Sequence, residues 1–111
     1  SSQFIINISN DTWFGSSIGP YHHLDIARVR AIENNKWLIR STNDGFSAVI
    51  DNNGTVVDKL EKGVSGVINS SIKLIEKRTF YNIYGHFIPY LSALLIIFIS
   101  VIINICLKRR T

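Results

Sequence analysis

A chain of 111 residues has room for one domain at most, together with whatever its C-terminus forms. Its one cysteine, Cys106, excludes an intrachain disulfide and leaves the redox compartment unread. The formal charge of +4 does not imply a nucleic-acid-binding face: Lys108, Arg109 and Arg110 carry +3 of it, and the other nine basic residues nearly balance eight acidic ones.

The first element is Phe4–Ile8, a β-branched apolar run with the pattern of a strand buried on both faces. Only two serines and a glutamine precede it, and the chain contains no methionine, so a sequence truncated at its N-terminus is expected. Ser9-Asn10-Asp11-Thr12 then breaks the pattern with side chains that bond nearby backbone and favour turns. Trp13, Phe14 and Gly15 follow. A buried strand ending in a polar and then aromatic loop commonly places a binding surface at the C-terminal edge of its sheet. The plainer alternative is a turn followed by two core aromatics.

Ser16 to Pro20 reads as a loop whose proline suits the first turn of a helix. From Tyr21 to about Asn34 the spacing is helical, with Tyr21, Leu24, Ala27 and Ala31 on one face. Two alanines on that face would allow close approach to a sheet. Asp25 with Arg28, and Arg30 with Glu33, are opposite-charge pairs worth about 0.3 kcal/mol each. Asn34-Asn35 can take the left-handed conformation that ends a helix.

Four strands are predicted next. Lys36–Thr42 is followed by the turn Asn43-Asp44-Gly45, and Phe46–Asp51 by the hairpin turn Asn52-Asn53-Gly54. Thr55–Leu60 is third, and after Glu61-Lys62-Gly63 a fourth runs from Val64 to about Asn69. The whole predicts part of a mixed sheet with a helix on one face. About 80 residues supply too few partners to cover both faces of such a sheet.

Phe87 to Leu107 is a run of 21 uncharged residues, long enough as a helix to cross the ~30 Å hydrocarbon core of a bilayer. Phe80, Tyr81, Tyr84, Phe87 and Tyr90 cluster at one end like an interfacial aromatic belt, and Lys108-Arg109-Arg110 close the other. The positive-inside rule then puts the C-terminus in the cytoplasm and residues 1 to about 84 outside. With no signal peptide ahead of an exported region, either the chain is tail-anchored with its soluble part inside, against the charge rule, or preceding spans are missing; the absent methionine agrees with the second.

Few residues offer chemistry. His22, His23 and Asp25 suggest metal ligation, but adjacent histidines on a helix point about 100° apart and no further ligands have suitable spacing, so a structural role at the helix start is expected. His86 falls at the membrane interface, and Cys106 lies at the far end of the span from every polar cluster. Glu33 and Arg40 are best placed for partial burial, each with a structural ion pair as its default role. No Ser-His-Asp, Cys-His, phosphate-loop or paired-carboxylate arrangement is evident. The sequons at Asn7, Asn10, Asn53 and Asn69 are matches expected by chance in an Asn- and Ser-rich chain.

Taken in order, Ser9-Asn10-Asp11-Thr12-Trp13-Phe14-Gly15, Ser17-Ile18-Gly19-Pro20, His23-Leu24, the run Ile26–Glu33, Arg40–Gly45 and Ala48–Asp51 resemble the C-terminal part of the apolipoprotein N-acyltransferase family. Thr79-Phe80-Tyr81 through Tyr84-Gly85, leading into a final span, extends the resemblance over essentially the whole chain. It implies an α/β fold: the C-terminal part of a nitrilase-like (carbon–nitrogen hydrolase) αββα sandwich followed by one transmembrane helix. The corresponding division is residues 1–78 for the domain portion, 79–86 for an aromatic juxtamembrane segment, 87–107 for the span and 108–111 for a basic tail. The location implied is the inner membrane, multi-pass in the intact protein, with the soluble part periplasmic.

The family's Glu-Lys-Cys triad forms a thioester from a phospholipid acyl donor, then passes the acyl group to the α-amine of an apolipoprotein's N-terminal diacylglyceryl-cysteine. No cofactor, metal or nucleic acid is implied. All three triad residues belong upstream of Ser1; neither Cys106, Glu33 nor Lys36 matches them. What this chain would contribute is pocket wall, with Asn10, Asp11, Trp13 and Phe14 as the candidates, and alone it is expected to be inactive. Two alternatives stand beside this reading: a membrane-tethered nitrilase-type amidase, and a non-catalytic membrane-anchored interaction module.

Overall fold

The computed structural model describes residues 2–108, which fall into two compact units, residues 2–79 and residues 80–108. Arg109 and Arg110 of the predicted basic tail lie outside the described residues.

In the first unit β1 (Phe4–Asn10) is followed by a single 3-10 turn (Thr12–Phe14) and α1 (Gly19–Asn34). Then come β2 (Trp37–Asn43), β3 (Ser47–Ile50) and β4 (Val56–Leu60). The four strands form one mixed sheet in the order β1-β2-β3-β4. β1 and β2 are parallel, in register from Phe4↔Trp37 to Asn10↔Asn43, with α1 as the crossover that a parallel pair requires. β2–β3 and β3–β4 are antiparallel, the latter with an irregularity at Val49/Ile50. The α/β class is as expected; a sandwich's second sheet is not among the described residues.

α1 packs through the face predicted for it. Ala27 and Ala31 are buried against Leu38, Ala48 and Ile50, with Leu24, Ile5 and Val56 packed around them. Tyr21 stays half-exposed, but its ring lies 4.7 Å from that of Phe46. Pro20 occupies the first turn, and Asn35 ends the helix at φ 51, its N–H reaching the carbonyls of Ala31 and Ile32. Both predicted ion pairs form, Asp25–Arg28 at 2.9 Å and Arg30–Glu33 at 2.7 Å.

Two expectations fail. β1 is an edge strand with one face covered: Ile5 packs toward α1, whereas Ile6 and Ile8 on the opposite face are 61% and 81% exposed. The helix that covers one face has no counterpart on the other among the described residues of this unit. The predicted strand Val64–Asn69 is extended chain outside the sheet, with Val67 91% exposed. The reason is topological. β4 and β1 are opposite edges of the sheet, yet Ile75 N–H donates to the carbonyl of Gln3 just before β1 (3.1 Å). The chain must therefore cross the strands rather than run beside β4: Gly66 rests on Leu60, and Ile68 shares a groove with Ile39 and Val49. Buried Lys36 anchors the end of this crossing by donating from Nζ to the carbonyls of Ile75 and Lys77.

The second unit is α2 (Phe80–Tyr84), one 3-10 turn (Gly85–Phe87) and α3 (Ile88–Lys108). Twenty-one residues of α3 rise about 31 Å, enough to cross a bilayer, and none of its side chains is buried within the chain. Its length and its apolar composition all round suit α3 to crossing a membrane. Its polar side chains serve its own backbone, as lipid demands: Ser92 Oγ donates to the Pro89 carbonyl and Asn104 Nδ2 to that of Ser100.

Candidate functional site

Because β1 and β2 are parallel and end level at Asn10↔Asn43, the loops that follow them leave the same edge of the sheet. Asp11 joins the two. Its N–H donates to the Asn43 carbonyl (3.1 Å), and its own carbonyl accepts from Phe14 N–H (3.0 Å), closing the 3-10 turn. Its carboxylate is fully buried and takes three donors: Ser9 Oγ and His23 Nδ1 on Oδ1, and Arg40 NH2 on Oδ2, each at 2.8 Å. Facing an acceptor, the His23 Nδ1 carries the proton.

Arg40 is equally buried and donates through NH1 to Asn7 Oδ1; its Nε has no partner among the described residues. Burial pushes the Asp11 carboxyl up, but the Ser9 and His23 hydrogen bonds and the charges of Arg40 and His23 outweigh it, holding the group below the ordinary carboxylate range.

Two glycines make this arrangement possible by what they lack. A Cβ on Gly45 would sit 2.3 Å from Asp11 Oδ2, so the β2–β3 turn closes over the carboxylate only without a side chain there. The left-handed residue of that turn is Asp44 (φ 57) instead. A Cβ on Gly19 would fall 2.2 Å from Phe14 Cδ1, so the Phe14 ring lies directly against the start of α1. That ring also meets His23 edge-on at 5.8 Å and Trp13 at 5.3 Å.

The four predicted pocket residues thus occupy different positions. Asn10 is exposed and turns the chain by accepting from Thr12 N–H (3.1 Å). Asp11 lies beneath the loop, sealed from solvent. Phe14 is half-buried, and Trp13 stands 82% exposed at the tip. Chemically, Asp11, Arg40, His23 and Ser9 neutralise one another. They hold a loop in place and present no free acid, base or nucleophile.

Sequence reasoning gave His23 and Arg40 structural roles separately and did not connect either to Asp11. The available signal was a carboxylate two residues after Ser9, at a strand end, with a buried arginine one strand over. Lys62 adds a further tie, donating from Nζ to the Gly15 carbonyl. No group of three or more His, Cys, Asp or Glu able to hold a metal occurs among the described residues.

Residues 1–79 match the carbon–nitrogen hydrolase family. The chain is similar to the apolipoprotein N-acyltransferase of Photobacterium profundum, 36% identical over 110 residues, which is 99% of this chain and 21% of that protein. It is also similar to the apolipoprotein N-acyltransferases of Vibrio parahaemolyticus (43% over 84 residues, 76% of this chain and 17% of the relative) and Pasteurella multocida (38% over 96 residues, 86% and 18%). The chain spans about a fifth of the length of these curated relatives.

Proposed function

Because this chain belongs to the carbon–nitrogen hydrolase family, we propose that it works as the C-terminal part of an apolipoprotein N-acyltransferase. One observation carries the reading: similarity to the Photobacterium profundum acyltransferase runs over 99% of the chain, through the family domain and on into the apolar helix. A family domain joined directly to a membrane helix suits an enzyme whose acyl donor is itself a membrane phospholipid.

In this reading a cysteine thiolate outside this chain attacks the donor's ester carbonyl, releasing lysophospholipid and leaving a thioester. The uncharged α-amine of an N-terminal diacylglyceryl-cysteine then attacks the thioester, the thiolate leaves, and an amide forms. A lysine stabilises the oxyanion and a glutamate carries the proton. Both lie with the cysteine upstream of Ser1. The residues described here position: the Asp11–Arg40–His23 network fixes the loop that offers Trp13 and Phe14 as wall to the acyl chain or substrate head. α3 anchors the domain in the inner membrane, with the domain on the periplasmic side and Lys108 at the cytoplasmic face.

The test uses the full-length protein expressed from its native reading frame, purified in detergent with phospholipid and a diacylated lipopeptide. Mass spectrometry should find the triacylated peptide and one equivalent of lysophospholipid. Hydrolysis of an amide without acyl transfer would replace this reading with an amidase. The 111-residue chain alone should transfer nothing; transfer by it, or acylation of Cys106, would refute the assignment of the triad to the upstream part.

A further inference from the structure

A cleft of about 410 Å³ lies between the β2–β3 turn and residues 63–66, lined by Ser41, Thr42, Asp44, Ser47, Gly63 and Ser65 among others. It opens at the edge of the sheet from which the Trp13 loop also departs. The tie from Lys62 to the Gly15 carbonyl links the residue beside Gly63 to the end of that loop. Asn43 and Gly45 border both this cleft and the network around Asp11, but Asp11, Arg40 and His23 are not in its lining.

We infer that the cleft is a binding site for a primary ammonium group, with Asp44 as its counter-charge. Asp44 is the one ionisable residue of the lining. Its neighbour Asp11 is matched by Arg40 and His23, whereas the Asp44 carboxylate is exposed and has no hydrogen bond or ion pair among the described residues.

The rest of the lining is mostly hydroxyls and backbone, with no cation, which disfavours a phosphate and suits a ligand that only donates. An ammonium with three N–H donors and one positive charge is such a ligand. The carboxylate is presented from a fixed backbone: Asp44 holds φ 57, and Ser47 Oγ accepts from Thr42 N–H (3.1 Å) across the same turn. Which molecule brings the ammonium rests on the acyltransferase reading. The lipopeptide acceptor carries one as its protonated α-amine, shed before the transfer step, and an ethanolamine phospholipid carries one in its headgroup.

The experiment measures binding to the full-length protein in detergent micelles, so that it stands apart from turnover. One probe pair is a diacylated lipopeptide with a free α-amine and the same peptide N-acetylated; the other is phosphatidylethanolamine and phosphatidylglycerol. The wild type should favour the amine-bearing member of one pair about tenfold, and Asp44→Asn should abolish the preference. Asparagine accepts the left-handed conformation, so the turn survives the substitution.

Without any variant, a lipopeptide preference should fade as pH rises through the amine's own pKa near ~8. Loss confined to the first pair assigns the acceptor, and loss confined to the second assigns the headgroup. Equal binding within both pairs, or a preference unchanged in Asp44→Asn, overturns the site. Amine preference without acyl transfer would leave the site standing and sink the acyltransferase reading instead.

Discussion

Asp11→Asn tests whether the buried network holds the loop. The substitution keeps the shape but removes the charge and replaces one acceptor oxygen with an NH₂ donor. Arg40 can only donate, so the amide has to turn its NH₂ toward Ser9 and His23, which must rotate the hydroxyl and switch tautomer to accept it. Arg40, 2% exposed, is left without its counter-charge. Breaking a buried pair from one side costs roughly 3–5 kcal/mol, a large share of the 5–15 kcal/mol typical of a whole domain.

Removing both partners should cost far less. The buried Arg40 Nε is already without a partner, a defect worth about 1–3 kcal/mol that Arg40→Met would erase. Asp11→Leu with Arg40→Met is therefore expected to recover most of the loss. Unfolding of the full-length protein in detergent, followed by tryptophan fluorescence for both singles and the double, gives the coupling directly. Amide exchange at residues 12–15 should rise in Asp11→Asn and mark the loop's release. A loss under about 1 kcal/mol, or a double no more stable than its worse single, would refute the argument.

Other outcomes follow from the same geometry. The folded pKa of Asp11 is lowered, so its stabilisation is complete above the unfolded value near ~3.9 and lost as pH falls below that toward the folded value; Asp11→Asn should flatten this acid limb of the stability curve. Gly45→Ala should destabilise by about 1–3 kcal/mol through contact with the Asp11 carboxylate, and a neutral result would mean that the turn can lift away. Trp13→Ala, at a position 82% exposed, should change stability by less than about 0.5 kcal/mol while lowering acyl transfer on the order of tenfold. Trp37→Ala, at 9% exposure, should cost about 3–5 kcal/mol of stability, and equal small effects of both on transfer would make the loop merely structural. Protease added to intact spheroplasts should cut before Tyr84 and spare the Lys108 end; the reverse pattern would invert the proposed orientation.

What the sequence disclosed was decided within a few residues. α1 follows from its spacing, Pro20 and the Asn34-Asn35 ending, and β2 to β4 from alternation between Asn- and Gly-rich turns. α3 needs composition and length alone. Val64–Asn69 misled because an extended, alternating run says nothing about whether an edge is there to receive it. This one has to travel from the β4 edge to Gln3, and a segment that crosses strands cannot pair with them.

The site was hidden for a related reason. Asp11 and Arg40 are 29 positions apart, and each alone resembles an ordinary polar residue of a turn or strand. Gly45 is the instructive case: Asn-Asp-Gly invites the reading that glycine supplies the left-handed residue, yet Asp44 takes φ 57 while Gly45 makes room for a carboxylate from another strand. A glycine required by its own backbone and a glycine required by a distant neighbour look alike in one sequence. They part under substitution, since shortening Asp11 to alanine removes the Oδ2 and Cγ atoms that a methyl at Gly45 would meet and leaves only the Asp11 Cβ, 2.8 Å away, in its path. The Gly45→Ala penalty should therefore shrink in an Asp11→Ala background, a coupling that backbone strain alone could not produce.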